Sequence, residues 1–95
     1  MLIQYTETGN RGKFFIKTDG NDLAEMTYLF PEPGIMIIDH TEVTDILRGK
    51  NVGYRLVSRG TEYAREKHFK IICLCPFANG VIKKKPVEFS NVLKV

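Results

Sequence analysis

The sequence predicts an α+β fold, built as a mixed, mostly antiparallel sheet with one crossover helix and a short C-terminal helix. Three observations predict it. β-Rich segments separated by polar turns occupy the chain as far as Val43, whereas an amphipathic helical pattern begins only at Val52. A further apolar segment of strand length, residues 71–75, follows the helix. The order strand, helix, strand favours a right-handed crossover between parallel neighbours.

The N-terminal strands are delimited by their turns. Residues 13–17 are rich in β-favouring side chains and end at the polar residues 18–22, which predict a hairpin connection. Residues 23–30 alternate, and the even-numbered members form the predicted buried face. Residues 31–34 contain two prolines and a glycine and predict the second turn. Ile35–Val43 then starts apolar on both faces, which favours an interior strand covered on both sides.

The helical part of the sequence has a clear apolar face and a charged face. Gly60 inside this helix costs on the order of 1 kcal/mol of helix propensity, so it predicts a close approach to the sheet. Pro76 ends the strand of residues 71–75, and residues 77–84 predict a short helix closed by Pro86. The apolar face of the long helix consists of Val52, Leu56, Val57, Tyr63 and Ala64.

Length and composition restrict the class of protein. Ninety-five residues, 43% hydrophobic and 26% charged, predict one globular domain over residues 1–95. We find no apolar run near the roughly 20 residues of a membrane-spanning helix and no secretory signal pattern. Cys73 and Cys75 are too close for an unstrained disulfide, which indicates reduced thiols. We therefore expect a cytoplasmic protein without a membrane partner.

The net charge of +3 raises the question of a nucleic-acid partner. The excess positive charge gathers at residues 83–85, where a solvated helix end and an anion site are both open. A small nucleic-acid module needs exposed aromatic side chains beside these bases. Tyr28 and Phe30 fall instead on the predicted buried face, so we expect no nucleic-acid partner.

The segment Arg48-Gly49-Lys50-Asn51-Val52-Gly53 joins a strand to the long helix. Small residues allow the backbone to approach a ligand, and a helix start presents unpaired N–H groups at the positive end of the dipole. These are physical reasons to expect a phosphate-bearing ligand. The segment is not a Walker loop and lacks the full dinucleotide-binding spacing. Glycine-containing turns of this kind also occur for steric reasons alone.

Arg48-x-x-Asn51-x-Gly53 resembles the Q/R-x-x-G-x-G/A pyrophosphate loop of the GNAT acetyltransferases. Residues 39–43 (Asp-His-Thr-Glu-Val), 47–49 (Leu-Arg-Gly) and 75–77 (Cys-Pro-Phe) occur in the order of a small bacterial subgroup, the YjdJ-like proteins. That subgroup resembles a minimal GNAT fold without the usual N-terminal elements. The resemblance covers residues 13–86 and implies acetyl-CoA as the acetyl donor and an amine, which the sequence does not identify, as the acceptor.

The resemblance also implies where acetyl-CoA binds. The loop of residues 47–54 would hold the pyrophosphate through backbone N–H groups, and the pantetheine would lie between the Ile35–Val43 strand and that of residues 71–75. Asn51 stands where the family prefers glycine, but asparagine tolerates a left-handed backbone. The implied cofactor-binding residues are Val43, Arg48, Gly49, Lys50, Asn51, Val52, Gly53, Tyr54, Pro76, Phe77 and Lys84.

Two residues are candidates for catalysis. Cys75 matches the family position that handles the acetyl group, and a thiol near a helix start can be a nucleophile, although a small buried hydrophobe is an equal alternative. His40 is predicted to share a strand face with Ile38 and Glu42 and to act as general base or cofactor contact. The alternative is a buried histidine satisfied within its strand. Glu42 or Asp39 would orient His40 or serve as the base.

These features together predict an acetyl-CoA-dependent N-acetyltransferase. Transfer would occur by direct attack of the amine or through an acetylated Cys75, the latter with ping-pong kinetics. The alternative is a non-catalytic acetyl-CoA or CoA-binding protein, because the missing N-terminal elements normally help to build the acceptor pocket. No metal is expected, since the two histidines are far apart in the sequence. The open sheet edge of so small a domain is compatible with a monomer or a weak dimer.

Overall fold

The computed structural model describes residues 2–94 and contains one five-stranded sheet with the strand order β1-β2-β3-β4-β5. The first four strands are antiparallel neighbours, whereas β4 and β5 are parallel. The predicted mixed, mostly antiparallel sheet is therefore confirmed. The strands are β1 (Gln4–Thr8), β2 (Arg11–Thr18), β3 (Asn21–Glu32), β4 (Ile35–Val43) and β5 (Lys70–Cys73).

The predicted crossover helix is α1 (Val52–Lys67), and the short helix after β5 is α2 (Pro76–Lys84). Pro76 occupies the first helical position of α2, where its fixed φ suits the helix and its missing N–H has no intrahelical acceptor to lose. The weakly patterned tail adds a four-residue helix, α3 (Pro86–Phe89), and a short 3₁₀ turn. Across the described chain, no helix is long and apolar enough to cross a membrane.

The core lies between α1, α2 and one face of the sheet. All five residues of the predicted apolar face of α1 are buried. A Cβ on Gly60 would lie 2.6 Å from Met26 Cε, so the predicted close approach of helix and sheet is confirmed. Phe14 and Tyr28 lie beside Met26 in this core and are fully buried.

A β-bulge in β4 changes which side chains face the helices. Thr27 lies opposite His40, and the next residue of β3 lies opposite Ile38, so Asp39 is an extra residue on β4. Ile38 is buried before the bulge and Thr41 is buried after it. His40 is therefore on the opposite face from Ile38, so the face expected to be shared with Ile38 is wrong, whereas His40 and Glu42 do share a face. The bulge reverses the alternation that a two-residue period assumes.

Two further expectations about the strands need correction. β4 lies between β3 and β5, but Ile35 and Ile37, on the face away from the helices, are only half-buried. One face of β4 is thus fully covered, not both. β5 ends at Cys73 because Pro76 begins α2 and Cys75 is the N-cap of that helix.

Candidate functional site

The loop between β4 and α1 bends through two residues with positive φ. Gly49 has a φ of 80°, and Asn51 has a φ of 62° and a ψ of 25°. Asparagine tolerates this left-handed region better than most residues with a Cβ, which is how the loop keeps its path without a glycine at residue 51. The side chain of Asn51 makes no capping hydrogen bond to α1.

The start of α1 presents backbone donors. Arg55 N–H donates to the Asn51 carbonyl oxygen at 3.2 Å, so the amides of Val52, Gly53 and Tyr54 precede the helical ladder. The first turn of α1, which is described in full, carries no acidic side chain to offset the positive end of the helix dipole. This arrangement of amides and dipole suits an anionic ligand.

A cavity of about 340 Å³ opens in front of this helix start, within the roughly 300–1,000 Å³ of small-molecule sites. Its walls are formed by the end of β4, the loop, the first turn of α1, one side of α2 and the residue after α2. The cavity brings together every predicted cofactor-binding residue except Lys50 and Pro76. Its lining comprises Val43, Leu47, Arg48, Gly49, Asn51, Val52, Gly53, Tyr54, Phe77, Val81, Lys84 and Lys85.

Phe77 joins α2 to the start of α1 at this cavity. A Cβ on Gly53 would lie 2.5 Å from Phe77 Cε1, so the ring lies directly against the helix backbone. The ring is 47% exposed and also lines the cavity. Val81, one turn further along α2, extends the same wall and was not identified from the sequence. Its spacing of four residues from Phe77 is the signal that could have identified it.

Lysines 84 and 85 line the cavity, whereas Lys83 does not. Lys85 lies between α2 and α3 with a φ of −137° and a ψ of 61°, because the α conformation is disfavoured before Pro86. Its Nζ atom lies 5.2 Å from the centroid of the Tyr54 ring. From the sequence, Lys85 was placed in the basic block of residues 83–85 but not among the cofactor-binding residues, because helical periodicity does not extend through this break.

Tyr54 is held by the C-terminal segment. Its hydroxyl donates to Glu88 Oε1 at 2.6 Å, and this hydrogen bond, with burial and the Glu88 charge, raises the pKa of Tyr54. Arg65 donates to the Glu88 carbonyl oxygen at 2.6 Å and to Asn91 Oδ1 at 3.0 Å. These contacts fix α3 against α1 and so fix the position from which Lys85 reaches the cavity.

Arg48 lines the cavity while pairing with Asp45. Its Nη2 atom lies 3.0 Å from Asp45 Oδ1, and the two side chains are 79% and 87% exposed. Exposed ion pairs contribute only about 0–1 kcal/mol, so little free energy holds Arg48 to Asp45. Arg48 also lines the cavity, so both sequence interpretations, phosphate contact and solvated arginine, are compatible with its position.

β4 and β5 separate near Cys75. Their parallel pairing runs from Ile35 opposite Lys70 to Ile38 opposite Cys73, and Leu74 N–H donates to the Ile38 carbonyl oxygen at 2.9 Å. β4 then continues, whereas the segment after β5 turns into α2, and this opens a splay between the two strands.

Cys75 lies in this splay and is 4% exposed. Its Sγ lies 3.5 Å from the Thr41 hydroxyl oxygen, and Cys75 is not part of the cavity lining. Burial, the largest influence, raises the pKa of this thiol. The amides of Ala78, Phe77 and Thr41 and the Thr41 hydroxyl together outweigh burial and hold the pKa below its ordinary value. Burial instead raises the pKa of Cys73, and both thiols are free.

His40 is on the other face of the sheet from Thr41 and the splay. Its side chain is largely exposed, so the alternative of a buried histidine is wrong, and its Nε2 lies 3.5 Å from Glu42 Oε2. Asp39 does not orient it, because Asp39 accepts hydrogen bonds from Thr27 at 2.6 Å and Arg11 at 3.1 Å. The structure therefore does not bring His40 and Cys75 together.

A family profile, a curated protein and a solved structure all match this chain over most of its length. The sequence profile of a family described as GCN5-related N-acetyl-transferase matches residues 13–92. Protein NATD1 of Gallus gallus is 26% identical over 86 residues, which cover 90% of this chain and 78% of that protein. The solution structure of a GCN5-like protein of Staphylococcus aureus is 37% identical with a TM-score of 0.74, covering 96% of this chain and 87% of that one.

A more distant match shares the fold. An aminoglycoside N-acetyltransferase, AAC(6')-Iy in complex with CoA, is 12% identical with a TM-score of 0.58, covering 93% of this chain and 74% of that one. The five-stranded sheet with its crossover helix is thus a small version of the fold seen in these acetyltransferases.

Proposed function

The chain belongs to the GCN5-related N-acetyltransferases, enzymes that transfer an acyl group to an amine, and on that premise we propose that it uses acetyl-CoA as the donor. The observation that carries the proposal is the cavity at the start of α1. Backbone amides at a helix start and the side chains of Lys84 and Lys85 surround the same space. This combination suits a ligand with several phosphates.

The residues present fit the anionic end of the donor. The amides of Val52, Gly53 and Tyr54 would hold the pyrophosphate, and Lys84 and Lys85 would lie near the remaining phosphate. The pantetheine would follow the splay between β4 and β5 towards Cys75. The predicted binding set is thereby extended by Val81 and Lys85.

Two predicted residues outside the cavity lining have other roles in this proposal. Lys50 shapes the loop, because its N–H donates to the Leu47 carbonyl oxygen at 3.2 Å. Pro76 determines where α2 begins and so where Phe77 meets Gly53.

When bound, acetyl-CoA supplies a thioester carbon open to attack. In the route through Cys75, its thiolate forms a bond to the acetyl carbon, the carbon–sulfur bond to CoA breaks, and CoA leaves and takes up a proton. The amine then attacks the acetyl-cysteine, a C–N bond forms, and Cys75 departs as a thiolate that accepts the proton lost by the amine. The lowered pKa of Cys75 and its Thr41 contact favour this route.

The second route is direct attack of the amine on the donor. Its C–N bond forms as the bond to CoA breaks. His40 and Glu42 would accept the amine proton only if the amine approached from the exposed sheet face on which they lie, opposite Thr41. The 4% exposure of Cys75 favours this route, because a buried thiol needs an opening of the splay before it can react. The pattern of double-reciprocal plots and the activity of a Cys75 variant distinguish the two routes.

The thermal midpoint of the purified chain with acetyl-CoA, CoA or ATP tests the proposal. A ligand at about 100 times its Kd stabilises the native state by roughly 2.7 kcal/mol. In a domain of this size that raises the midpoint by roughly 10–20 °C. We expect this rise with acetyl-CoA and CoA and none with ATP. No rise at millimolar acetyl-CoA would contradict the proposal.

Release of free CoA thiol in the presence of peptide amines, polyamines and small amino metabolites then tests catalysis. Turnover with one of them supports the transferase. Binding of acetyl-CoA without turnover across the whole panel would support the alternative, a CoA-binding protein without catalysis.

The proposal also includes one domain over residues 1–95, a cytoplasmic location, and a monomer or weak dimer within the minimal YjdJ-like subgroup. Free cysteines suit a reducing compartment.

The outer edge of β5 is covered, because Leu93 forms a bridge with Ile71 and Lys94 N–H donates to the Ile71 carbonyl oxygen at 2.8 Å. The exposed strand β1 is the edge at which a second copy would pair. Sedimentation equilibrium measures whether the protein is a monomer or a dimer.

A further inference from the structure

We propose that Thr41 is a positioning residue for Cys75, whose hydroxyl holds the sulfur in the splay between β4 and β5. The inference deepens the proposed function and rests on it, since it concerns the cysteine assigned to acetyl transfer. Thr41 is the central residue of the motif at residues 39–43, but no role was predicted for it from the sequence and it does not line the cavity.

The contact between the two residues is shielded from solvent. Thr41 Oγ1 lies 3.5 Å from Cys75 Sγ, within hydrogen-bond range for sulfur, and the residues are 8% and 4% exposed. Buried hydroxyl groups in proteins are almost always paired. The thiol is the partner available to Thr41, so the contact ties the rotamer of one side chain to that of the other.

The bulge in β4 places Thr41 at this contact. Asp39 is the extra residue, and after it Thr41 faces the helices, although the alternation before the bulge would place it on the outer face. The bulge is anchored on that outer face, where the Asp39 carboxylate accepts hydrogen bonds from Thr27 Oγ1 at 2.6 Å and from Arg11 at 3.1 Å. An ion-paired carboxylate on one face thus supports a thiol contact on the other.

A hydroxyl group is suited to both protonation states of the sulfur. It accepts a hydrogen bond from the thiol and, after deprotonation, turns to donate one to the thiolate. The Thr41 backbone amide and the amides of Phe77 and Ala78 at the start of α2 add further favourable interactions with the anion. Cys73 is a neighbouring titratable group, and its Sγ lies 3.6 Å from the Cys75 carbonyl oxygen.

The test compares Thr41→Val, which keeps the shape and removes the hydroxyl, with Thr41→Ser, which keeps the hydroxyl. Both are made in a Cys73→Ala background so that only Cys75 titrates as a thiol. The readout is thiolate ultraviolet absorbance against pH in the absence of donor and acceptor, followed below the tyrosine range. We expect Thr41→Val to move the Cys75 midpoint to higher pH and Thr41→Ser to leave it near that of the parent.

A second measurement tests the role of Thr41 if the Thr41→Val protein folds poorly. Alkylation of Cys75 is followed in Thr41→Ala and Thr41→Ser at one pH below the parent midpoint, after circular dichroism has shown native helix content. Loss of a hydrogen bond to a charged group should slow alkylation roughly tenfold in Thr41→Ala and not in Thr41→Ser. Equal rates in the two variants would overturn the role of Thr41.

The inference and the proposed function fail in different ways. An unchanged Cys75 midpoint in Thr41→Val overturns the positioning role even if the variant binds acetyl-CoA. Conversely, a parent protein that does not bind acetyl-CoA contradicts the proposed function, whatever the titration of Cys75 shows.

Discussion

The ring of Phe77 lies directly against the backbone of Gly53, where an added Cβ would be 2.5 Å from the ring Cε1 atom. Gly53 belongs to the first turn of α1, whose amides form the proposed anion site, and Phe77 belongs to α2, which ends at Lys84. This one contact therefore aligns the two halves of the cavity. It also explains why a glycine is needed inside a helix, where glycine is otherwise unfavourable.

Replacing this glycine should weaken cofactor binding more than it changes stability. In Gly53→Ala, better helix propensity contributes about 1 kcal/mol, which offsets much of an overpacking cost of about 1–3 kcal/mol. The half-exposed Phe77 ring must turn out of its place. We expect the Kd for acetyl-CoA to rise roughly fivefold, a loss of about 1 kcal/mol measured by titration calorimetry.

Gly60→Ala is the matched control for this prediction. It sits in the same helix, and its Cβ would lie 2.6 Å from Met26 Cε, far along α1 from the cavity. We expect parent-like affinity. If Gly60→Ala weakened acetyl-CoA binding as much as Gly53→Ala does, the effect would come from the helix as a whole and not from Phe77.

The lysines at the end of α2 should discriminate between donors. The double variant Lys84→Gln/Lys85→Gln should bind CoA roughly tenfold more weakly at low salt, and high salt should reduce the difference. If these lysines hold the 3′-phosphate, the double variant and the parent should bind dephospho-CoA equally. Lys83→Gln, which removes one positive charge outside the cavity lining, should behave as the parent.

The route of acetyl transfer depends on Cys75. If the thiol carries the acetyl group, Cys75→Ala should lose nearly all turnover, and Cys73→Ala should keep it. The parent, mixed with donor alone, should gain the mass of one acetyl group, and double-reciprocal plots should be parallel. Full activity of Cys75→Ala would exclude this route and leave direct attack by the amine.

Stability should fall in alkaline solution because burial and a shared carboxylate raise the pKa of two tyrosines. Tyr28 and Tyr63 donate to Glu7 Oε1 at 2.8 and 2.9 Å. Burial first, and then the Glu7 hydrogen bond, raise the pKa of both phenols, that of Tyr63 to about 12. The folded state favours the neutral phenol, so this stabilisation is complete below pH 10 and is lost as the pH rises through about 12. Thermal midpoints and tyrosinate absorbance across this window measure it.

Removal of the Glu7 carboxylate tests the same cluster at neutral pH. Glu7→Leu leaves the buried Tyr28 hydroxyl without its acceptor, so the free energy of unfolding should fall by roughly 1–3 kcal/mol. Glu7→Gln keeps an acceptor oxygen and should lose less. Glu66→Gln, an exposed carboxylate on α1, is the control and should change stability by under about 0.5 kcal/mol. Equal loss in all three variants would contradict the role of the cluster.

Much of the fold and of the cavity at the start of α1 could be predicted from the sequence. The turns at residues 18–22 and 31–34, the apolar face of α1 and the close approach at Gly60 all appear in the structure. In the loop after β4, residue 51 has the left-handed backbone conformation that asparagine tolerates. These features depend on neighbours within one or two turns of chain, and such local preferences are visible in the residue order.

The sequence by itself determined β2 to β5, α1 and α2, their order and the loop that starts α1, because local propensity and periodicity encode them, whereas β1 and α3 were not predicted. Only the tertiary structure decided that His40 faces outward, that Thr41 meets Cys75 and that Lys85 reaches the cavity. The first two follow from a one-residue bulge whose position depends on pairing between β3 and β4. Lys85 depends on a helix break held by contacts from α1 to α3. Register and packing between segments distant in the chain have no local signature, because the energies that decide them arise only when those segments meet.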